Sequence, residues 1–115
     1  MGYFRGVDLN SSERFVYVYS GTSQSELENI INEKMLSIGY KHLGNGLYEK
    51  GNRIMRLILG AMSKYFKFQV SLDANNPEEI KVGVVKATSG MSGGLIGMNQ
   101  VKTELMHLRK IFESI

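Results

Sequence analysis

The sequence contains no cysteine, which excludes disulfide bonds, thiolate metal ligands and a cysteine nucleophile. Its two histidines, His42 and His107, lack the spacing of a metal-binding motif, and neither a metal site nor a cofactor is predicted. The longest apolar run is centred on 57–59, far short of the roughly 20 residues that a membrane-spanning helix needs. These absences favour a cytoplasmic protein without a membrane partner.

Length and charge set further bounds. A chain of 115 residues with 43% hydrophobic content suits one domain with an ordinary core. Residues 1–12 lack the apolar stretch of a signal peptide and are predicted to form a tail or packed arm before a single domain at 13–115. Residues 40–90 carry eight basic and four acidic side chains. This basic middle either attracts an anionic partner or consists of solvated lysines that protect strand edges.

The first half of the chain reads as a strand and a helix. Aromatic residues alternate with valines over 14–20, which predicts a strand. Ser23 and Glu26 have the spacing of a capping box, in which each side chain bonds the backbone of the other residue. The helix that follows is predicted to stop at Gly39, since glycine readily adopts the left-handed conformation there.

The second half reads as a series of strands and a final helix. The pair Asn45-Gly46 predicts a hairpin turn, because both residues accept positive φ. The spacing of apolar residues over 54–66 fits a helix as well as strands. The segment DANNPEE at 73–79 is predicted to be a loop. Strands are predicted on both sides of the turn and at 53–59, 65–72 and 80–88, and the period of two is clear over 65–72.

These elements predict an α+β fold with a single antiparallel sheet and two helices packed on one face, in the order β-α-β4-α, with five strands between the helices as the alternative. This order resembles the TBP-like and helix-grip folds. The resemblance is one of topology, and because that class includes both DNA-binding sheets and cavities for lipids or hormones, it does not select a function. The predicted strands 14–20 and 53–59 are apolar on both faces. We therefore expect a second subunit, a ligand or the arm with Tyr3 and Phe4 to cover the second face.

The glycine-rich segment at 86–100 contains a pattern of catalytic serines. Residues 90–94 match G-x-S-x-G and resemble the G-x-S-G-G of trypsin-like proteases, with His42 and Asp73 upstream. A nucleophile elbow needs a parallel sheet, and a trypsin-like protease needs two β-barrels, which 115 residues cannot build. No catalytic residue is assigned, and the chain is not predicted to be an enzyme.

The same segment also suits anion binding at the start of a helix. Backbone N–H groups there lack partners, and glycines let a phosphate approach them. The P-loop and dinucleotide-binding patterns are both missing. In this interpretation the ligand-binding residues are Lys86, Ser89, Gly90, Ser92, Gly93 and Gly94.

A structural interpretation of the glycines rests on their phase. They continue an apolar stripe in steps of three or four: Gly90, Gly94, Gly97, Val101, Leu105, Leu108, Phe112 and Ile115. Close backbone packing would offset the cost of about 0.5–1 kcal/mol for each glycine inside a helix. A second apolar stripe continues to Met106, and it fits ordinary core burial, an interface between copies of the chain or the lid of an apolar pocket. The predicted interface residues are Met91, Leu95, Gly97 and Met98.

One further surface combines aromatic and basic residues. Its predicted members are Tyr17, Tyr19, Arg53, Arg56, Tyr65 and Lys67. Such a surface suits single-stranded nucleic acid, although cross-strand packing explains the same pattern. We expect a non-catalytic, homo-oligomeric domain that holds a small amphipathic or anionic ligand, such as a nucleotide, between the sheet and the last helix. Nucleic-acid binding through the sheet and a protein-interaction or inhibitor module are the alternatives.

Overall fold

The computed structural model describes residues 2–51, 65–76, 78–87 and 94–115, without the side chains of Tyr65 and 94–99. Within these ranges, six strands form one antiparallel sheet, and two helices accompany it. The elements are β1 (Phe4–Asn10), β2 (Arg14–Tyr19), α1 (Gln24–Ser37), β3 (Lys41–Gly44), β4 (Leu47–Gly51), β5 (Tyr65–Asn76), β6 (Glu79–Lys86) and α2 (Gly94–Glu113). The strand order is β1-β2-β6-β5-β4-β3. The predicted α+β class is confirmed, and the predicted strand at 53–59 lies outside the described residues.

Residues 4–10 of the predicted tail or arm form the edge strand β1. It pairs antiparallel with β2 and has two register irregularities. The Phe4 ring lies 5.0 Å from the Tyr17 ring and 5.8 Å from the Tyr19 ring, on the helix side of the sheet. The segment therefore extends the sheet at its edge. Its residues do not cover the face opposite the helices, on which Val16 and Val18 are half-buried.

Helix α1 begins and ends where the sequence predicts. The Ser23 hydroxyl accepts a hydrogen bond from the Glu26 backbone N–H at 3.2 Å, as expected of a helix cap. The Glu26 carboxylate instead accepts from the Tyr3 hydroxyl at 2.9 Å, so Glu26 ties the N-terminal segment to the helix. Gly39, at φ +97°, adopts the predicted left-handed conformation.

The predicted hairpin turn joins β3 and β4. Asn45 and Gly46 have φ values of +54° and +77°, and they connect the paired residues Gly44 and Leu47. The Gly46 carbonyl accepts a hydrogen bond from the Val70 N–H at 2.8 Å. The turn is thus fixed to β5 as well as to its own hairpin.

The predicted loop at 73–79 is wrong for most of its length. Strand β5 continues to Asn76, which pairs with Glu79 at the start of β6. Asp73 pairs with Lys81, so the backbone ladder continues where the side chains are polar. At the tip, the Asn76 side chain accepts a hydrogen bond from the Glu78 N–H at 2.9 Å, a local bond typical of turns.

Helix α2 buries the predicted apolar stripe against the sheet. Leu105, Leu108, Phe112 and Ile115 are all buried, and Val101 is half-buried. The Tyr19 hydroxyl donates a 2.5 Å hydrogen bond to the Phe112 carbonyl, which connects β2 to the last turn of the helix. Gly94 and Gly97 lie within α2, whereas Gly90 lies outside the described residues.

Buried tyrosines make the stability of this fold sensitive to alkaline pH. Burial raises the pKa of Tyr19 and Tyr40, and the hydrogen bond to Glu104 raises the pKa of Tyr40 further. Their contribution to stability is complete below the usual pKa near 10 and decreases above it, because only the unfolded chain releases these protons.

We therefore expect the free energy of unfolding to fall by about 1.4 kcal/mol per pH unit above pH 10 for each such tyrosine. Urea denaturation of the wild type and Tyr40→Phe at several alkaline pH values measures this slope. The variant should show the smaller slope, and equal slopes would show that Tyr40 does not contribute to the pH dependence.

Candidate functional site

A groove opens where the β1–β2 turn, the end of β6 and helix α2 meet. Its volume is about 160 Å³. Each of the three segments contributes two adjacent residues to its walls. The described lining residues are Ser12, Glu13, Val85, Lys86, Val101 and Lys102. The groove thus lies between the sheet and the C-terminal helix, the position that the sequence predicts for a ligand.

The β1–β2 turn that forms one wall is fixed by Ser11. Its hydroxyl accepts hydrogen bonds from the N–H groups of Glu13 at 3.3 Å and Arg14 at 3.2 Å. The Arg109 guanidinium of α2 donates a hydrogen bond to the Ser11 carbonyl and lies over the Phe15 ring, 5.6 Å from its centroid. Helix and turn are therefore held together beside the groove.

Register places Lys86 on the helix side of the sheet. It pairs with the buried Phe68 across β5 and β6, and paired residues of antiparallel strands share a face. The Ala87 N–H donates to the Lys67 carbonyl at 2.8 Å, so the ladder continues one residue beyond β6 and fixes the backbone there. Lys102 approaches from the opposite wall, on the exposed side of α2 next to half-buried Val101.

The charged side chains of the groove have no partners among the described residues. The side chains of Lys86, Lys102 and Glu13 form no ion pair and no hydrogen bond within that part of the chain. Elsewhere on the sheet, Lys81 lies 3.7 Å from Asp8 in an ion pair. The groove is therefore lined by two lysines and one glutamate beside the half-buried Val101, whereas the exposed side chain of Val85 alternates to the other face of β6.

Only part of the predicted anion site can be located. Lys86 lines the groove, and Gly94 is the first described residue of α2. Ser89, Gly90, Ser92 and Gly93 lie outside the described residues. Sequence reasoning missed the contributions of the β1–β2 turn and of Lys102. The only local signal for the turn is the polar run at 10–13 before strand β2.

The described residues of the predicted aromatic and basic surface do not lie on one face of the sheet. Tyr17 and Tyr19 face the helices, and the Tyr17 hydroxyl donates to Glu113 at 2.9 Å. Lys67 lies between the buried Phe66 and Phe68 in β5, so its side chain points to the other face. Arg53, Arg56 and the side chain of Tyr65 lie outside the described part of the chain.

The predicted interface residues remain a prediction. Met91 lies outside the described residues, and Leu95, Gly97 and Met98 belong to the first turns of α2, whose side chains are not described. Met106, farther along the same stripe, is 57% exposed.

A second polar cluster lies on the other side of α2, around the buried carboxylate of Glu104. One of its oxygens accepts a 2.5 Å hydrogen bond from the Tyr40 hydroxyl and lies 3.4 Å from Lys50 Nζ. Its other oxygen lies 3.6 Å from His107 Nδ1. Because Tyr40 and Lys50 both contact this carboxylate, we assign this cluster to attachment of α2 to the β3–β4 end of the sheet.

The described residues contain no helix that is long and apolar enough to cross a membrane. They also contain no group of three or more histidine, aspartate or glutamate side chains arranged for a metal ion. Comparison of the whole chain with protein-family models, curated proteins and solved structures finds no match.

Proposed function

We propose that this chain is a non-catalytic binding domain whose groove holds a small amphipathic or anionic ligand between the sheet and helix α2. The observation that supports this function is the convergence of Lys86 and Lys102 on one groove, with no partner for either ammonium group among the described residues. Charged side chains that face each other across a groove without pairing are suited to a ligand of opposite charge.

The lining also limits the kind of ligand. Val101 supplies apolar surface beside the two lysines, which favours a molecule with a short hydrocarbon part and an anionic head. The groove volume of about 160 Å³ is below the roughly 300–1,000 Å³ of pockets that enclose drug-sized ligands. A short carboxylate or phosphate monoester fits these limits better than a complete nucleotide.

Pentanoate tests the proposal in an NMR titration of ¹⁵N-labelled protein, with 1-pentanol as the uncharged control. We expect Lys86→Gln and Lys102→Gln each to weaken pentanoate binding about fivefold to tenfold, because each removes one charge-assisted contact worth about 1–1.5 kcal/mol at a partly solvated site.

Lys110→Gln is the matched control, because Lys110 is an exposed lysine of the same helix outside the described groove lining. It should bind pentanoate like the wild type. Equal affinities in all four proteins, or equal binding of pentanol and pentanoate, would contradict the proposed site.

A further inference from the structure

We infer that the ligand of this groove is a small zwitterion, whose anionic group contacts Lys86 and Lys102 and whose ammonium group contacts Glu13. This inference rests on the proposed function and specifies its ligand class.

The first argument is the position of Glu13. Glu13 belongs to the same lining as the two lysines, yet its carboxylate forms no ion pair with either of them among the described residues. Asp8 and Lys81, also near β2, do form such a pair at 3.7 Å. Because the glutamate and the lysines line one small groove without pairing, a ligand can lie between them. A ligand with one anionic and one cationic group can then contact the lysines and the glutamate together.

The second argument is the fixed backbone of the turn that carries Glu13. Ser11 accepts hydrogen bonds from the N–H groups of Glu13 and Arg14, and its carbonyl accepts from Arg109. The carboxylate therefore starts from a backbone position that is set before any ligand arrives. Such preorganisation reduces the entropy that a binding site loses when it orders around its ligand.

The third argument concerns selectivity. A purely anionic ligand would be attracted by the two lysines and repelled by Glu13. An ammonium group on the same ligand changes this repulsion into attraction. A single partly exposed ion pair contributes up to about 1 kcal/mol, which corresponds to about fivefold in affinity.

The test compares three five-carbon probes in NMR titrations of the full chain: pentanoate, norvaline and 5-aminopentanoate. The two amino acids place the ammonium group next to the carboxylate or at the far end of the hydrocarbon chain. We expect at least one of them to bind the wild type about fivefold more tightly than pentanoate. In Glu13→Gln this preference should vanish, while the affinity for pentanoate stays the same or increases.

Glu33→Gln, which removes an exposed carboxylate of α1, is the matched control and should keep the preference. If pentanoate binds in a manner that depends on Lys86 and Lys102 but neither amino acid binds more tightly, the zwitterion inference is wrong and the proposed function stands. A preference that persists in Glu13→Gln also overturns the inference. If no probe binds, both are wrong.

Discussion

Phe112→Ala is expected to lower the free energy of unfolding by about 3–5 kcal/mol, the range for removal of a buried phenylalanine side chain. The Phe112 ring is fully buried, and it meets the Phe15 ring edge-on with 5.5 Å between centroids. Its truncation leaves a cavity at the contact between α2 and β2, next to the Tyr19 hydrogen bond. Urea denaturation measures the loss.

Met106→Ala is the control for this substitution, because Met106 lies on the same helix and is 57% exposed. It should change the stability by less than about 0.5 kcal/mol. A loss below about 1 kcal/mol for Phe112→Ala would show that α2 does not pack against the sheet through this stripe.

Gly46→Ala is expected to destabilise the protein by more than about 2 kcal/mol, through two effects at one position. Gly46 has a φ of +77°, which is unfavourable for alanine. A Cβ atom there would also overlap the carbonyl oxygen of Val70, which is backbone and cannot rotate away. The hairpin turn or strand β5 would have to move, at the cost of the bond between the Val70 N–H and the Gly46 carbonyl.

Gly44→Ala separates these two effects. Gly44 also has positive φ, at +102°, but a Cβ atom there would meet no atom within 4 Å. It should therefore cost only the backbone strain, about 1–2 kcal/mol. If urea denaturation gives the two variants equal stability, the close approach of Gly46 to β5 is not present in solution.

The parts of the fold that could be predicted from the sequence are those specified by residues close together in the chain. The Ser23 cap, the Asn45-Gly46 turn and the apolar stripe of α2 each depend on residues close together in the chain. Strand β1 has no such signal, because its register irregularities interrupt the alternation of side chains and its stability comes from pairing with β2. The same holds for 73–76, where backbone bonds to β6 continue the strand despite polar side chains.

The candidate site was less accessible to sequence reasoning. Glu13, Lys86 and Lys102 are far apart in the chain and line one groove only because β6 lies beside β2 and α2 crosses near both. Period-two alternation showed that Tyr17 and Tyr19 share a face. It could not show which face the helices cover, because that depends on the packing of α1 and α2.

The central claim is that a small anion binds between the sheet and α2, and the location of bound pentanoate tests it most directly. In ¹H–¹⁵N NMR spectra of the ¹⁵N-labelled full chain, pentanoate should shift the backbone amide signals of the groove walls. These are the amides of Ser12, Glu13, Val85, Lys86, Val101 and Lys102. Shifts confined to amides far from these walls, such as those of β3 and β4, would contradict the claim.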